Sequence, residues 1–149
     1  MKRITFCGHR DFYPTDQLKQ EVIKIITDFV GDEDVEFLLG GYGNFDAFAL
    51  SCCKEYKKAH PNSTLIFVSP YLDDTYLKNK NSDLKYDLTI YPPLENTPKK
   101  YAILKRNEYM VANSDLLIAY VLFGFGGAAK TLNYAKRKNK ACKNVAALR

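Results

Sequence analysis

Three times along this chain a short apolar run of strand character ends in glycine, and each time a stretch with apolar residues at helical spacing follows. The runs are RITFCG, closing at Gly8; VEFLLGG, closing at Gly40 and Gly41; and SDLLIAYVL, which leads through Phe123 into GFGGAAKT, Gly124 to Thr131. Strands that alternate with helices form a parallel sheet covered on both faces, because each helix must carry the chain back to the start of the next strand. The pattern predicts an α/β fold, a Rossmann-like three-layer sandwich with a mainly parallel sheet.

The intervening segments fill in that plan. Thr15 can cap a helix whose apolar residues are Leu18, Val22, Ile25, Ile26 and Phe29, with Gly31 as its stop. After Gly43 a second helix turns Phe45, Phe48, Ala49, Cys52 and Tyr56 inward and ends at His60 and Pro61. STLIFVSP reads as a third strand. From Tyr71 to Pro98 the periodicity weakens, and only YDLTIYPP has the look of a strand. Pro98 opens a helix to about Asn113, and NVAAL near the end of the chain reads as a last short strand. No linker or repeat divides residues 1–149, so one domain is expected.

A chain of 149 residues, 46% hydrophobic, is long enough to bury one core. Its net charge of +5 favours an anionic partner. Lys136, Arg137, Lys138, Lys140 and Lys143 crowd one stretch, which reads as a solvated helix end. No nucleic-acid motif accompanies that charge, so nucleic acid is the disfavoured partner. Cys7, Cys52, Cys53 and Cys142 show no C-x-x-C pairing and no His at metal-ligand spacing, so no metal is expected, and the thiols read as reduced in a cytoplasmic setting. No apolar run approaches the length of a membrane span.

In an open parallel sheet, ligands sit beyond the C-terminal ends of the strands, where backbone amides at the start of the next helix point at an anion. The candidate ligand-binding residues are therefore Gly8, His9 and Arg10 after the first strand; Gly40, Gly41, Gly43, Asn44 and Asp46 after the second; Ser69 after the third; and Gly124, Gly126, Gly127, Lys130 and Thr131 after the fourth. Together they point to a phosphate-bearing ligand. GFGGAAKT is not a Walker A loop, since Ala129 separates Gly127 from Lys130 along with Ala128, and its match to G-x-G-x-x-A lacks the first-strand position of a dinucleotide fingerprint. Arg106 shares a helix face with Ala102, Ile103 and Met110, the face that looks inward. A guanidinium there needs an anion: a ligand, or a structural partner such as Asp115 or Asp46.

On these residues the chain resembles the SLOG superfamily, the Rossmann-like group that includes the DprA DNA-processing proteins and the Lonely Guy phosphoribohydrolases. FCGHR is similar to the family's first strand and turn, and LLGGYGNFDAFA to the glycine turn after its second strand. RNEYMVANSDLLIAYV is similar to the R-K-x-x-M-x-x-x-S-D-x-x-I-x-L stretch of the Lonely Guy enzymes, whose arginine contacts phosphate and falls on Arg106. Those enzymes continue with P-G-G-x-G-T-x-x-E, and the comparison sets Lys130 where they carry the glutamate that assists cleavage of the base–ribose bond. Cleavage builds positive charge on the ribose, which a carboxylate stabilises and a lysine repels.

The resemblance therefore implies a protein that holds a nucleotide-derived ligand, of ADP-ribose or cyclic-nucleotide type, without Lonely Guy chemistry. Such a protein would act as a sensor, as in antiviral signalling, or would sequester the signal, and would form a homo-oligomer. No cofactor is implied. The alternative is a hydrolase of nucleotides or ADP-ribose derivatives using Asp46, His9 or Arg106. Asp46 otherwise hydrogen-bonds a ribose hydroxyl or the helix start, and His9 otherwise serves as a neutral hydrogen-bonding residue.

Overall fold

The computed structural model describes residues 1–80 and 85–148. It contains β1 (Lys2–Gly8), α1 (Asp16–Val30), β2 (Val35–Leu39), α2 (Asn44–Ala59), β3 (Thr64–Val68), α3 (Asp74–Lys80) and β4 (Leu88–Ile90). A 3-10 turn (Lys99–Tyr101) then leads into α4 (Ala102–Ala112), β5 (Leu116–Tyr120), α5 (Gly127–Arg137), β6 (Ala141–Asn144) and a closing 3-10 turn (Val145–Leu148). The sheet has six strands in the order β4-β3-β2-β1-β5-β6, and every pairing is parallel.

Alternation along the strands divides the core into two sides. Ile4 and Phe6 of β1, Phe37 and Leu39 of β2, and Ile118 and Tyr120 of β5 pack with Leu18, Val22 and Ile26 of α1 and with Phe45, Phe48 and Cys52 of α2. Their strand neighbours Cys7, Leu117 and Ala119 face the other way, onto Val111 of α4 and Leu132 and Ala135 of α5, while Leu38, Ile66 and Val68 meet Met110. The result is three layers with the sheet in the middle. The caps of α1 follow its sequence: Thr15 Oγ1 accepts from the Leu18 amide, and the Gly31 amide donates to Thr27 O.

Two elements differ from expectation. The last strand lies at Ala141–Asn144, upstream of most of NVAAL. Asn144 binds both the amide and the carbonyl of Val121 through its side chain and accepts from the Ala146 amide, which turns the chain so that Val145 enters the core on the α1 side. Within the aperiodic stretch after Tyr71, α3 forms with Asp73 accepting from the Tyr76 amide, and it contributes no fully buried residue. Among the described residues no helix is long and apolar enough to cross a membrane.

The chain adds β2, β3 and β4 on one side of β1 and then β5 and β6 on the other. The sheet therefore reverses its winding between β1 and β5. Loops leaving two neighbouring strands in opposite directions open a crevice at that point.

Candidate functional site

A cavity of about 460 Å³ occupies that crevice. Its walls come from the β1–α1 loop (Gly8 to Asp11), the β2–α2 turn (Tyr42, Asp46), α4 (Ile103, Arg106, Asn107) and the β5–α5 loop (Phe123, Phe125 to Ala128). It has the size of a small-ligand site.

Arg106 reaches it from α4. The side chain is 1% exposed, and Nη1 donates to the carbonyls of Gly40 and Val68, both at 2.8 Å, while Nε donates to Asn107 Oδ1 at 2.9 Å. The guanidinium thus ties together the C-terminal ends of β2 and β3. Neither expected ion pair forms: Asp115 accepts from the Arg3 amide instead, and Asp46 is an electrostatic neighbour without a direct bridge. Nη2 makes no hydrogen bond among the described residues. It lies 3.3 Å from the point a side chain on Gly40 would occupy, so glycine at 40 makes room for this arginine and for Asp46.

Asp46 sits in the first turn of α2, with Oδ2 accepting from the Tyr42 amide at 2.8 Å. Burial pushes its carboxyl up to about 6, against the opposing pull of that hydrogen bond and of Arg106 and Lys80. The folded chain therefore holds this proton more tightly than the unfolded chain. Its stabilising contribution is fully present below the ordinary carboxylate value and is lost as pH rises through about 6. Asp46→Asn keeps the acceptor for Tyr42 and removes the charge, so at about pH 7.5 the variant is expected to be more stable by about 2 kcal/mol. In urea titrations that margin should vanish toward about pH 4. Equal stability at every pH would mean that the charge carries no penalty.

His9 is buried, and Nε2 accepts from the Leu122 amide at 2.8 Å, so the neutral ring carries its proton on Nδ1. Burial lowers its pKa. Phe123 stacks on this ring with centroids 4.0 Å apart, and Phe125 stacks on Phe123 at 4.5 Å. Phe125 is 71% exposed. The three rings form a ladder running from the β1 turn out to solvent. Across the mouth, Arg10 lies over the Tyr42 ring at 5.3 Å.

The α5 start faces the cavity without a side-chain cap. Gly126 takes φ +93°, a backbone state that L side chains rarely adopt, and the first intrahelical bond runs from the Lys130 amide to Gly126 O. The amides of Gly127 and Ala128 precede that bond. Apart from the adjoining residues and the backbone of α5 itself, no atom of the described residues lies within 4 Å of the point where a side chain at Gly124, Gly126 or Gly127 would begin. At Gly8 the reason for glycine is different: a Cβ there would stand 2.2 Å from Phe45 Cγ, so internal packing dictates it.

Of the residues singled out from sequence, Gly8, His9, Arg10, Asp46, Arg106, Gly126 and Gly127 meet in one cavity. Gly40 and Gly43 shape the neighbouring turn, where the Asn44 amide donates to Arg10 O. Other candidates stand apart. Asn44, Gly124 and Lys130 are exposed and do not line the cavity. Thr131 is buried with Oγ1 donating to Gly127 O, Ser69 is buried with Oγ donating to Tyr71 O, and Gly41 lines a separate cavity that also touches Asp46. Tyr42, Phe123 and Phe125 went unassigned from sequence, although aromatic side chains between glycines in an exposed turn are a readable signal. The cavity charges balance, Arg10 and Arg106 against Asp11 and Asp46. Among the described residues no cluster of His, Cys, Asp or Glu is arranged to hold a metal.

The fold has solved counterparts. DNA processing protein A from Helicobacter pylori, which binds single-stranded DNA, superposes over 95% of this chain with a TM-score of 0.60 and 19% identity. DNA processing protein A (DprA) from Streptococcus pneumoniae does so over 95% with a TM-score of 0.62 and 15% identity. The fold is of the DprA type. The chain spans 63% and 49% of those two proteins' lengths. In sequence it is 26% identical, over an alignment of 141 residues covering 81% of each chain, to the SPbeta prophage-derived protein YoqJ of Bacillus subtilis. No protein-family model matches. A DprA-type fold corrects one expectation: nucleic acid was disfavoured for want of a motif, yet this fold serves a single-stranded DNA binder, so absence of a sequence motif is no ground for setting that partner aside.

Proposed function

We propose that this chain binds a nucleotide in the crevice between β1 and β5 and holds it without cleaving it. The carrying observation is the exposed Phe123–Phe125 stack beside an uncapped, glycine-ringed helix start. A base has a π-face for the stack, and a phosphate matches the free amides of Gly127 and Ala128. Arg10 and the unengaged Nη2 of Arg106 supply charge-assisted donors. Where resemblance sets the Lonely Guy glutamate this chain carries Lys130, so no carboxylate from that position reaches the cavity, which supports retention over cleavage. The prophage origin of the Bacillus relative supports sequestration of a nucleotide signal over sensing.

Titration calorimetry with adenosine monophosphate tests this reading. Phe125 is largely exposed, so Phe125→Ser leaves the fold intact and is expected to weaken binding about fivefold or more, the effect of losing one stacking contact worth about 1–3 kcal/mol. Unchanged affinity in that variant would refute the base position.

A second reading, single-stranded DNA, is favoured by the way the ring ladder opens to solvent and by the Helicobacter pylori neighbour. It requires affinity that rises with oligonucleotide length and falls steeply with salt. A free nucleotide site shows neither.

A further inference from the structure

The crevice brings an acceptor and a donor together where Asp46 and Arg106 line it. Asp46 Oδ2 and Arg106 Nη2 lie 3.2 and 3.3 Å from one point, the place where a side chain on Gly40 would begin. They are close neighbours, yet no ion pair joins them. Each is held in place by other bonds. The Tyr42 amide donates to Asp46 Oδ2 at 2.8 Å, while Nη1 and Nε of Arg106 are engaged by Gly40 O, Val68 O and Asn107 Oδ1. A carboxylate has about four lone-pair sites and Nη2 carries two hydrogens, so both groups keep capacity for a ligand.

A group that serves both must donate to one and accept from the other. A hydroxyl does this from a single oxygen, with bonds of about 2.8 Å. A phosphoryl oxygen would meet Arg106 but be repelled by Asp46, and an apolar edge would leave both without partners. On the nucleotide reading, the base and the phosphate both lie against the β5–α5 loop, at Phe125 and at the Gly127 and Ala128 amides. The sugar that joins them turns its hydroxyl edge away from that loop, toward the walls that carry Asp46 and Arg106. Resting on that reading, we propose that Asp46 and Arg106 form a sugar-hydroxyl site, which makes the ligand a ribonucleotide. The carboxylate accepts from one hydroxyl or from both of a vicinal diol, and Arg106 donates to the oxygen nearer to it. Within a DNA strand the 2′-hydroxyl is missing and the 3′ oxygen is esterified, so a strand of that kind forgoes the contact.

The test is calorimetry on the full chain with adenosine monophosphate, its 2′-deoxy and 3′-deoxy analogues, and guanosine monophosphate. Adenosine monophosphate is expected to bind at least about tenfold more tightly than one or both deoxy analogues, the scale of a hydrogen bond to a charged group. Asp46→Asn, which keeps an acceptor for the Tyr42 amide, should bring that ratio close to one, and Asp46→Ala should do the same. The ratio is the readout because removing a negative charge strengthens the binding of every phosphate ligand alike. Equal binding of the three adenosine ligands, or a ratio that survives both substitutions, would overturn the site. So would a preference for guanosine over adenosine monophosphate that disappears in Asp46→Asn, since Asp46 would then read the edge of a base. Binding that depends on Phe125 but ignores the sugar would sink this inference alone, whereas no binding of adenosine monophosphate to the wild-type chain would sink the nucleotide reading with it.

Discussion

Arg106→Met is expected to cost about 3 kcal/mol or more of folding stability and to abolish nucleotide binding. Methionine fills much of the same volume, so packing on α4 survives. The loss is polar. Two strand-end carbonyls, Gly40 O and Val68 O, share the Nη1 donor at 2.8 Å and would be left without it in an enclosed setting, each at about 1–3 kcal/mol. Asp46 would lose a neighbouring cation, and its carboxyl should then titrate above its present value of about 6. Arg106→Lys should recover part of the stability, since an ammonium can reach one carbonyl, but not the fork that spans both. Urea midpoints and a carbon NMR titration of the Asp46 carboxyl separate these effects. A methionine variant with wild-type stability would mean that the guanidinium does not hold the ends of β2 and β3 together.

Gly8→Ala should be as damaging, for a steric reason. The added methyl would stand 2.2, 2.4 and 2.7 Å from Cγ, Cδ2 and Cβ of Phe45. Because Cβ is among those atoms, rotating the ring cannot relieve the clash. The ring is also fixed from behind by Phe12 at 5.2 Å and Tyr120 at 6.0 Å. β1 and α2 must therefore separate at the floor of the cavity, at about 3 kcal/mol, the upper part of the overpacking range. Pairing the change with Phe45→Ala should recover little, since the Cβ contact remains and a cavity is added. Thermal melting followed by circular dichroism gives the order: wild type well above Gly8→Ala. A melting point within a degree or two of wild type would mean that the two elements are more loosely packed than these distances imply.

Sequence carried the architecture because its signals are local. Apolar runs gave the strands, Thr15 and Gly31 bracketed α1, and the stripe Ala102, Arg106, Met110 correctly turned an arginine inward. Sequence could not name that arginine's partners, because they are backbone carbonyls on two distant strands and carry no side-chain signature. The same holds for β6: ACKN has no apolar alternation, and only its pairing with β5 makes it a strand. Helix phase explains Lys130 and Thr131. With Gly126 as the cap, Ala129 and Thr131 fall on the buried side of α5 and Lys130 on the exposed side, so proximity in sequence to the glycine loop did not become proximity in space. The aromatic ladder depends on where His9 of one loop meets Phe123 of another, and only the parallel pairing of β1 with β5 brings those loops together.

The central claim is that the crevice between β1 and β5 retains a nucleotide intact. Mass spectrometry of small molecules released by heating the purified protein, after incubation with adenine nucleotides, ADP-ribose and cyclic ADP-ribose isomers and removal of unbound material, tests it directly. Recovery of one of these compounds, unaltered and in stoichiometric amount, is the predicted result. Recovery of free base or a ribose phosphate would contradict retention and would make Asp46, the cavity carboxyl that burial pushes up to about 6, the first residue to examine as its acid or base.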